Sequence, residues 1–170
     1  MPMVSRQQAG DFLTQLGLQQ VDPEIWAGQQ WLVGRIFPVF VALKERFVQI
    51  EIPLNLVTQC DQIPLHRLFN EVNGQIVIGK FAIGSETDHG GRMLVLRVDF
   101  PAGTEEEYVA MESLAILFGV AFQLIEKHYS QVEETFRRGC QVSGRPPEDR
   151  GRGLLERIRT FRGGEEGRRA

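Results

Sequence analysis

The sequence is short of the residues that covalent frameworks, metal sites and most catalytic sites need. Its two cysteines, Cys60 and Cys140, are too few and too far apart for a disulfide framework or a zinc-binding spacing. Its three histidines are also isolated: His89 follows Asp88 in a polar loop, and His66 and His128 have no partner at ligand spacing. No nucleophile and base stand together either. We therefore predict that the chain is not an enzyme and uses no metal and no cofactor.

Long apolar runs are missing as well. The longest, Leu114–Ile125, spans about a dozen residues, whereas a bilayer crossing takes roughly 20. The first residues lack the charged-then-apolar pattern of a signal peptide. These absences predict a soluble protein in a reducing, cytoplasmic compartment.

Charge is unevenly distributed along the chain. The net charge is −3, but residues 1–136 carry −8 and residues 137–170 carry +5, all of the latter's basic residues being arginine. An acidic body argues against a nucleic-acid partner. The change in composition predicts one domain over residues 1–136 and an Arg-rich flexible tail over residues 137–170.

One stretch, Thr104 to Tyr129, reads as the helix around which the fold is organised. Thr104 and Glu107 have the spacing of a capping box, which predicts that the helix begins there. The run Leu114–Ile125 is apolar at almost every position, while a surface helix needs an apolar stripe of only about 100°. We expect more than one layer of the protein to cover this helix.

Two further helices and one helical turn precede it. Ser5 and Gln8 form a second capping box, and the helix that follows can close at Gly17. The stretch from Asp61 to Val72 has the apolar spacing of a helix, and Asn73-Gly74 supplies residues that tolerate a left-handed stop. A short helical turn is predicted from Asp22 through Trp26.

The rest of the chain has strand patterns. Phe47–Leu54 alternates apolar and polar residues, as a half-buried antiparallel strand does. Gln75–Ile83 and Arg92–Phe100 form the arms of a hairpin. Trp31–Leu43 is one long strand, or two joined at Pro38, where the missing N–H requires an edge, a bulge or a bend. The order helix, strands, helix, hairpin, long helix predicts an α+β fold with an antiparallel sheet.

The stretches 73–83 and 94–101, with the acidic start of the long helix, resemble the YbjN family. That family is similar in fold to the small acidic type III secretion chaperones. The resemblance covers about residues 5–130, and the Arg-rich tail departs from it. It implies a chaperone-like α+β homodimer that holds a segment of another protein in apolar grooves.

Two predicted strands, Trp31–Leu43 and Gln75–Ile83, carry apolar residues on both sides. In a sheet with water on one face, apolar and polar residues should alternate along each strand. Either this chain's own helices cover both faces, or a second copy or a client protein covers one of them. We predict the latter, and with it a non-enzymatic module that buries an apolar or extended segment of a partner protein. The predicted contact residues are Val33, Phe37, Val39, Val77, Phe81 and Ile83.

The tail contains one amphipathic pattern. A short basic helix is predicted near residues 153–162, with apolar Leu154, Leu155, Ile158 and Phe161 beside Arg157 and Arg159. It can be a disordered solubilising end, a weak contact with an anionic membrane, or a helix that docks on protein. The alternative function is therefore a regulatory or assembly adaptor that attaches to a membrane or complex through this helix.

Overall fold

The computed structural model describes residues 2–57, 62–86 and 91–142 of the chain. Within these ranges the helices are α1 (Arg6–Gln15), α2 (Ile63–Asn73) and α3 (Met111–Val142). The strands are β1 (Met3–Val4), β2 (Gln19–Asp22), β3 (Ile25–Leu32), β4 (Arg35–Leu43), β5 (Phe47–Val57), β6 (Lys80–Glu86), β7 (Arg92–Pro101) and β8 (Val109–Ala110).

The main sheet has the strand order β2-β3-β4-β5-β7-β6, and every neighbouring pair is antiparallel. The short strands β1 and β8 form a second, two-stranded sheet that joins the N-terminus to the start of α3. The α+β fold with an antiparallel sheet and a long C-terminal helix is therefore as the sequence predicted.

The sheet has two different faces. On the inner face, strand side chains and the buried apolar residues of all three helices form one large core. A second cluster lies on the outer face, and its described members are strand residues: Phe40, Met93 and Val95, with Ile25, Ala27, Leu56 and Ala82 partly buried against them. We call this second cluster the outer patch.

β5 confirms the alternation that the sequence showed. Val48, Ile50 and Ile52 are completely buried on the inner face, and Gln49 and Glu51 point to the other side. The capping box of α1 is also present, since the Ser5 hydroxyl accepts from the Gln8 N–H and the Gln8 side chain accepts from the Ser5 N–H. Both patterns are local, so the sequence could show them.

Two predictions on the region from Asp22 to Leu43 were wrong. Asp22 does not begin a helical turn: it ends β2, and its carboxylate accepts from the Glu24 N–H at 3.2 Å in the turn to β3. The two strands of the next stretch are joined at Val33-Gly34, not at Pro38, because Val33 and Gly34 both adopt positive φ. Pro38 lies inside β4, opposite Gln29 of β3.

Helix α2 buries the predicted side chains Leu65, Leu68, Phe69 and Val72. Its predicted left-handed stop was wrong, because Gly74 has φ −63° and the positive φ falls at Gly79 instead. The hairpin arm that follows is also shorter than predicted, since β6 begins at Lys80.

The long helix begins later than predicted. Thr104 does accept a hydrogen bond from the Glu107 N–H at 3.2 Å, but this bond closes a turn, and α3 begins at Met111. Between them the backbone pairs with the N-terminal strand: the Tyr108 N–H donates to the Val4 carbonyl at 2.8 Å. The capping-box pattern assigned these residues to a helix, but in the structure they pair with a strand that is distant in the sequence.

Helix α3 is covered on one side only, contrary to the expectation of several layers. Leu114, Ala121 and Ile125 are completely buried, whereas Ile116 is 57% exposed and Gly119 faces open space. The helix continues to Val142, past the predicted domain boundary, and residues 143–170 lie outside the described residues.

Candidate functional site

The six predicted contact residues do not form one surface. Phe37, Val39 and Phe81 are 1%, 3% and 1% exposed and belong to the inner core, so a partner protein cannot reach their side chains. Ile83 is partly buried against the same core. Val33 and Val77 are exposed, at 49% and 98%, but they lie in different loops. The choice of contact residues thus needs correction, and the protein-binding role itself stays a prediction.

Phe81 is held in the core from several sides. Its ring stacks on Phe69 with the centroids 6.1 Å apart and meets the edge of His128 at 5.9 Å. Its backbone N–H donates to Asn73 Oδ1, and its carbonyl accepts from Asn73 Nδ2, both at 2.8 Å. Because β6 is the edge strand of the sheet, Asn73 satisfies backbone groups that would otherwise be open to another strand.

His128 is a buried residue that packs against Phe81. It is 7% exposed, and burial, followed by the nearby Lys127 charge, lowers its pKa below the ordinary value. His66 lies on the exposed side of α2. Among the described residues, no three His, Cys, Asp or Glu side chains approach each other closely enough to hold a metal ion.

The β3–β4 hairpin ends in an exposed apolar group, which we call the hairpin tip. Trp31, Val33 and Ile36 are 63%, 49% and 56% exposed, and Trp31 and Ile36 stand opposite each other across the two strands. Val33 has φ +44°, a left-handed conformation in which a β-branched residue is strained. Two-residue hairpin loops of this kind normally carry Asn or Gly at that position.

The hairpin tip is fixed to α3 through Arg35. The guanidinium donates to the Tyr129 hydroxyl and lies 3.2 Å from Glu133 Oε1. It also lies over the rings of Phe37 and Tyr129, at 5.4 and 5.3 Å from their centroids. An open pocket of about 470 Å³ lies beside these contacts and is lined by residues of the turn and of α3, Arg137 among them. These contacts make the tip a rigid projection.

The outer patch begins beside the hairpin tip on the same face of the sheet. Pairing between β4 and β5 extends only from Leu43–Val48 to Phe40–Glu51. Two residues further in this register stand Pro38 and Pro53, neither of which can donate a ladder hydrogen bond. The first half of β4 therefore pairs with β3, and its pairing with β5 begins at Phe40.

The residues predicted for tail docking lie outside the described residues. They are Leu154, Leu155, Arg157, Ile158, Arg159 and Phe161. None of the helices in the described ranges is long and apolar enough to cross a bilayer.

The comparison with solved structures settles the type of fold. The chain superposes on the crystal structure of YbjN, a proposed transcription regulator from E. coli, with a TM-score of 0.54 at 12% sequence identity. The match covers 74% of this chain and 91% of that one. The chain has a YbjN-like fold.

Sequence comparisons add nothing to this likeness. No family model matches the chain, and no curated protein matches it. The resemblance to YbjN that the stretches 73–83 and 94–101 indicated is thus confirmed at the level of fold, and at 12% identity it extends no further.

Proposed function

We propose that this chain is a non-enzymatic, protein-binding module with a regulatory or chaperone-like role. It receives an apolar segment of a partner protein on the hairpin tip. The observation that carries the proposal is the exposure of Trp31, Val33 and Ile36 together at the end of a rigid hairpin.

The hairpin tip contributes unfavourably to the stability of the isolated protein. Exposed tryptophan and isoleucine gain nothing in water, and a valine with φ +44° adds backbone strain. Tryptophan is, in contrast, among the side chains that contribute most to protein interfaces. A partner that covers the tip gives these three residues a physical role.

The arrangement of the charged groups beneath the tip favours a structural role for them over a catalytic one. Arg35 is bonded to Glu133 and packed between two rings, and Arg137 lies 3.2 Å from the same Glu133 carboxylate. These contacts support a role in holding the hairpin on α3.

YbjN is described as a proposed transcription regulator. For this chain we propose that regulation takes place through contacts with proteins and not with DNA, because residues 1–136 carry a net charge of −8. A cytoplasmic location accompanies this proposal.

A second copy of the chain is the partner that we propose for the outer side of α3. Ile116 is 57% exposed there, and Gly119, with open space above it, allows a second helix to approach closely. The contact with a client and the contact between copies then use different surfaces and can be separated by mutation.

Three isoleucines of nearly equal exposure test these surfaces. Ile36 in the hairpin tip is 56% exposed, Ile116 on α3 is 57% exposed, and Ile63 at the start of α2 is 59% exposed. Each is changed to Asp in the full chain. Light scattering then measures the mass, and cross-linking in cells followed by mass spectrometry identifies the proteins that contact each variant.

We expect Ile36→Asp to lose a defined partner that Ile63→Asp retains, with affinity reduced roughly tenfold or more, since burying one isoleucine contributes about 1.5–3 kcal/mol. Ile116→Asp should instead shift the dimer to a monomer. Equal recovery of the same partner by all three variants and the wild type would refute the proposed binding surface.

A further inference from the structure

The open pocket beside the hairpin tip is lined by Val33, Arg35, Glu133 and Arg137 among others, and we call it the tip pocket. Its lining holds two guanidinium groups and one carboxylate, which gives it a net charge of +1. Residues 1–136 as a whole carry −8. A positive pocket on an acidic domain attracts a negatively charged group to one place, whereas the rest of the domain repels it.

The carboxylate of Glu133 is shared between the two arginines. Arg35 Nη1 and Arg137 Nη2 both donate to the same oxygen, Glu133 Oε1, and each distance is 3.2 Å. Hydrogen bonds between guanidinium and carboxylate groups are ordinarily about 2.7–2.9 Å long. One carboxylate carries a single negative charge, so it does not neutralise both arginines. A second carboxylate in the tip pocket would complete the pairing.

Arg137 is the arginine that can receive this second carboxylate. Its side chain is 55% exposed, and in the described ranges its guanidinium is paired with Glu133 through Nη2 alone. A guanidinium has five N–H donors, so most of those of Arg137 point to solvent. Arg35, in contrast, is held by the Tyr129 hydroxyl and lies over two aromatic rings. Arg35 therefore fixes the hairpin, and Arg137 remains accessible to a ligand.

The exposed apolar side chains begin at the edge of the tip pocket. Val33 lines the pocket and belongs to the hairpin tip. Trp31 and Ile36 form the second cross-strand pair from the turn, and by strand alternation they face away from Arg35. A segment that contacts both sides must pass over the turn, where a Cβ added at Gly34 would meet nothing within 4 Å. The path is open.

The thickness of the hairpin fixes the spacing of such a segment. A sheet with its side chains is about 10 Å thick, and an extended chain advances about 3.3 Å per residue. About three residues therefore separate the group that enters the tip pocket from the group that packs on the far side of the turn.

We infer that the tip pocket selects an acidic partner segment. An aspartate or glutamate of the partner pairs with Arg137, and apolar residues about three positions away pack on Trp31 and Ile36. This inference rests on the proposed function and deepens it, because it states which chemistry the apolar segment must carry beside its apolar residues.

The shape of the site favours a peptide over a small amphiphile such as a fatty acid. Pockets for small molecules bury about 70–90% of the ligand. The tip pocket is open, and Trp31 and Ile36 project from the turn into solvent, so an acyl chain would remain largely in water. A protein segment is covered on its other side by the rest of the partner.

Two neighbouring arginines provide a matched pair of variants. Arg137 and Arg138 are both exposed on α3, and each pairs with the glutamate four residues before it. Of the two, only Arg137 lines the tip pocket. A library of random peptides displayed on phage is selected on the full chain in three forms: wild type, Arg137→Gln and Arg138→Gln. A selected peptide and its Glu→Gln or Asp→Asn version are then titrated against each form.

We expect the wild type and Arg138→Gln to enrich peptides with an acidic residue about three positions from apolar residues, and Arg137→Gln to lose this acidic preference. Removal of the peptide's acid should weaken binding to the wild type roughly threefold or more and have no further effect on Arg137→Gln. Peptides without acidic residues, or an acidic preference that persists in Arg137→Gln, overturn the inference.

Selection on Ile36→Asp separates this inference from the proposed function. Enriched peptides that lack acids but depend on Ile36 leave the proposed function standing without the acidic contact. Acidic peptides that depend on Arg137 and not on Ile36 support the carboxylate contact and contradict the hairpin tip as the binding surface. If the wild type enriches no peptide, or binds dodecanoate in the tip pocket instead, the inference is overturned, and the cross-linking experiment decides on the proposed function.

Discussion

Val33 has φ +44° in the two-residue loop between β3 and β4, and Gly34 beside it has φ +79°. Glycine adopts this region at no steric cost, but a β-branched side chain does not. The sequence contains no sign of this strain, because Val33 follows four apolar or neutral residues that read as continuous strand. The sequence pattern therefore predicts one long strand or a break at Pro38, and neither includes the turn at Val33-Gly34.

Changing Val33→Asn should stabilise the isolated protein. Asparagine tolerates positive φ and is preferred in two-residue hairpin loops, so we expect a gain of roughly 1 kcal/mol in the free energy of unfolding. Urea denaturation measures it. Val21→Asn is the control, since Val21 is 56% exposed in the extended strand β2 and should gain nothing. Equal effects at both sites would show that Val33 is not strained.

Asn73 shows how one side chain connects two elements. It is the last residue of α2, and its amide makes both hydrogen bonds to the backbone of Phe81 in β6. The sequence indicated only that Asn73-Gly74 ends a helix. The second role depends on Phe81 lying beside the end of that helix, and this is a matter of tertiary structure.

We expect Asn73→Ala to destabilise the domain by about 1–3 kcal/mol, because it leaves two backbone groups of Phe81 without partners. Asn70→Ala, three residues earlier on the exposed side of α2, should have little effect. Thermal or chemical unfolding distinguishes the two variants. If both lose the same stability, helix propensity and not the link to β6 accounts for the loss.

We expect His128 to make the stability of the whole domain sensitive to acid. Burial lowers the pKa of this imidazole in the folded state, whereas the unfolded value is near 6.5. The unfolded chain therefore binds the proton more readily, and the associated stability is complete above pH 6.5 and is lost as the pH falls below it.

We expect the free energy of unfolding to decrease more steeply between about pH 6.5 and pH 5 in the wild type than in His128→Leu. Leucine keeps the contact with Phe81 but cannot be protonated. His66→Gln, on the exposed side of α2, is the control and should retain the wild-type slope. An unchanged slope in His128→Leu would assign the acid sensitivity to other groups.

Local patterns determined most of the secondary structure. The alternation in β5, the capping box of α1 and the apolar stripe of α2 each lie within one element, so the sequence alone was enough. The same local reasoning failed at Thr104, whose bond to Glu107 exists but closes a turn before β8. There, pairing with β1 overrides the helix signal.

The sequence by itself determined the α+β order and the fact that some strands avoid water on both sides. Only the tertiary structure decided which apolar side chains are exposed: Phe81 is buried against Phe69 and His128, and Ile36 projects into solvent. The physical reason is that the hydrophobic effect is not directional. The apolar character of a side chain shows that its burial is favourable, but the path of the whole chain decides which residues lie against it.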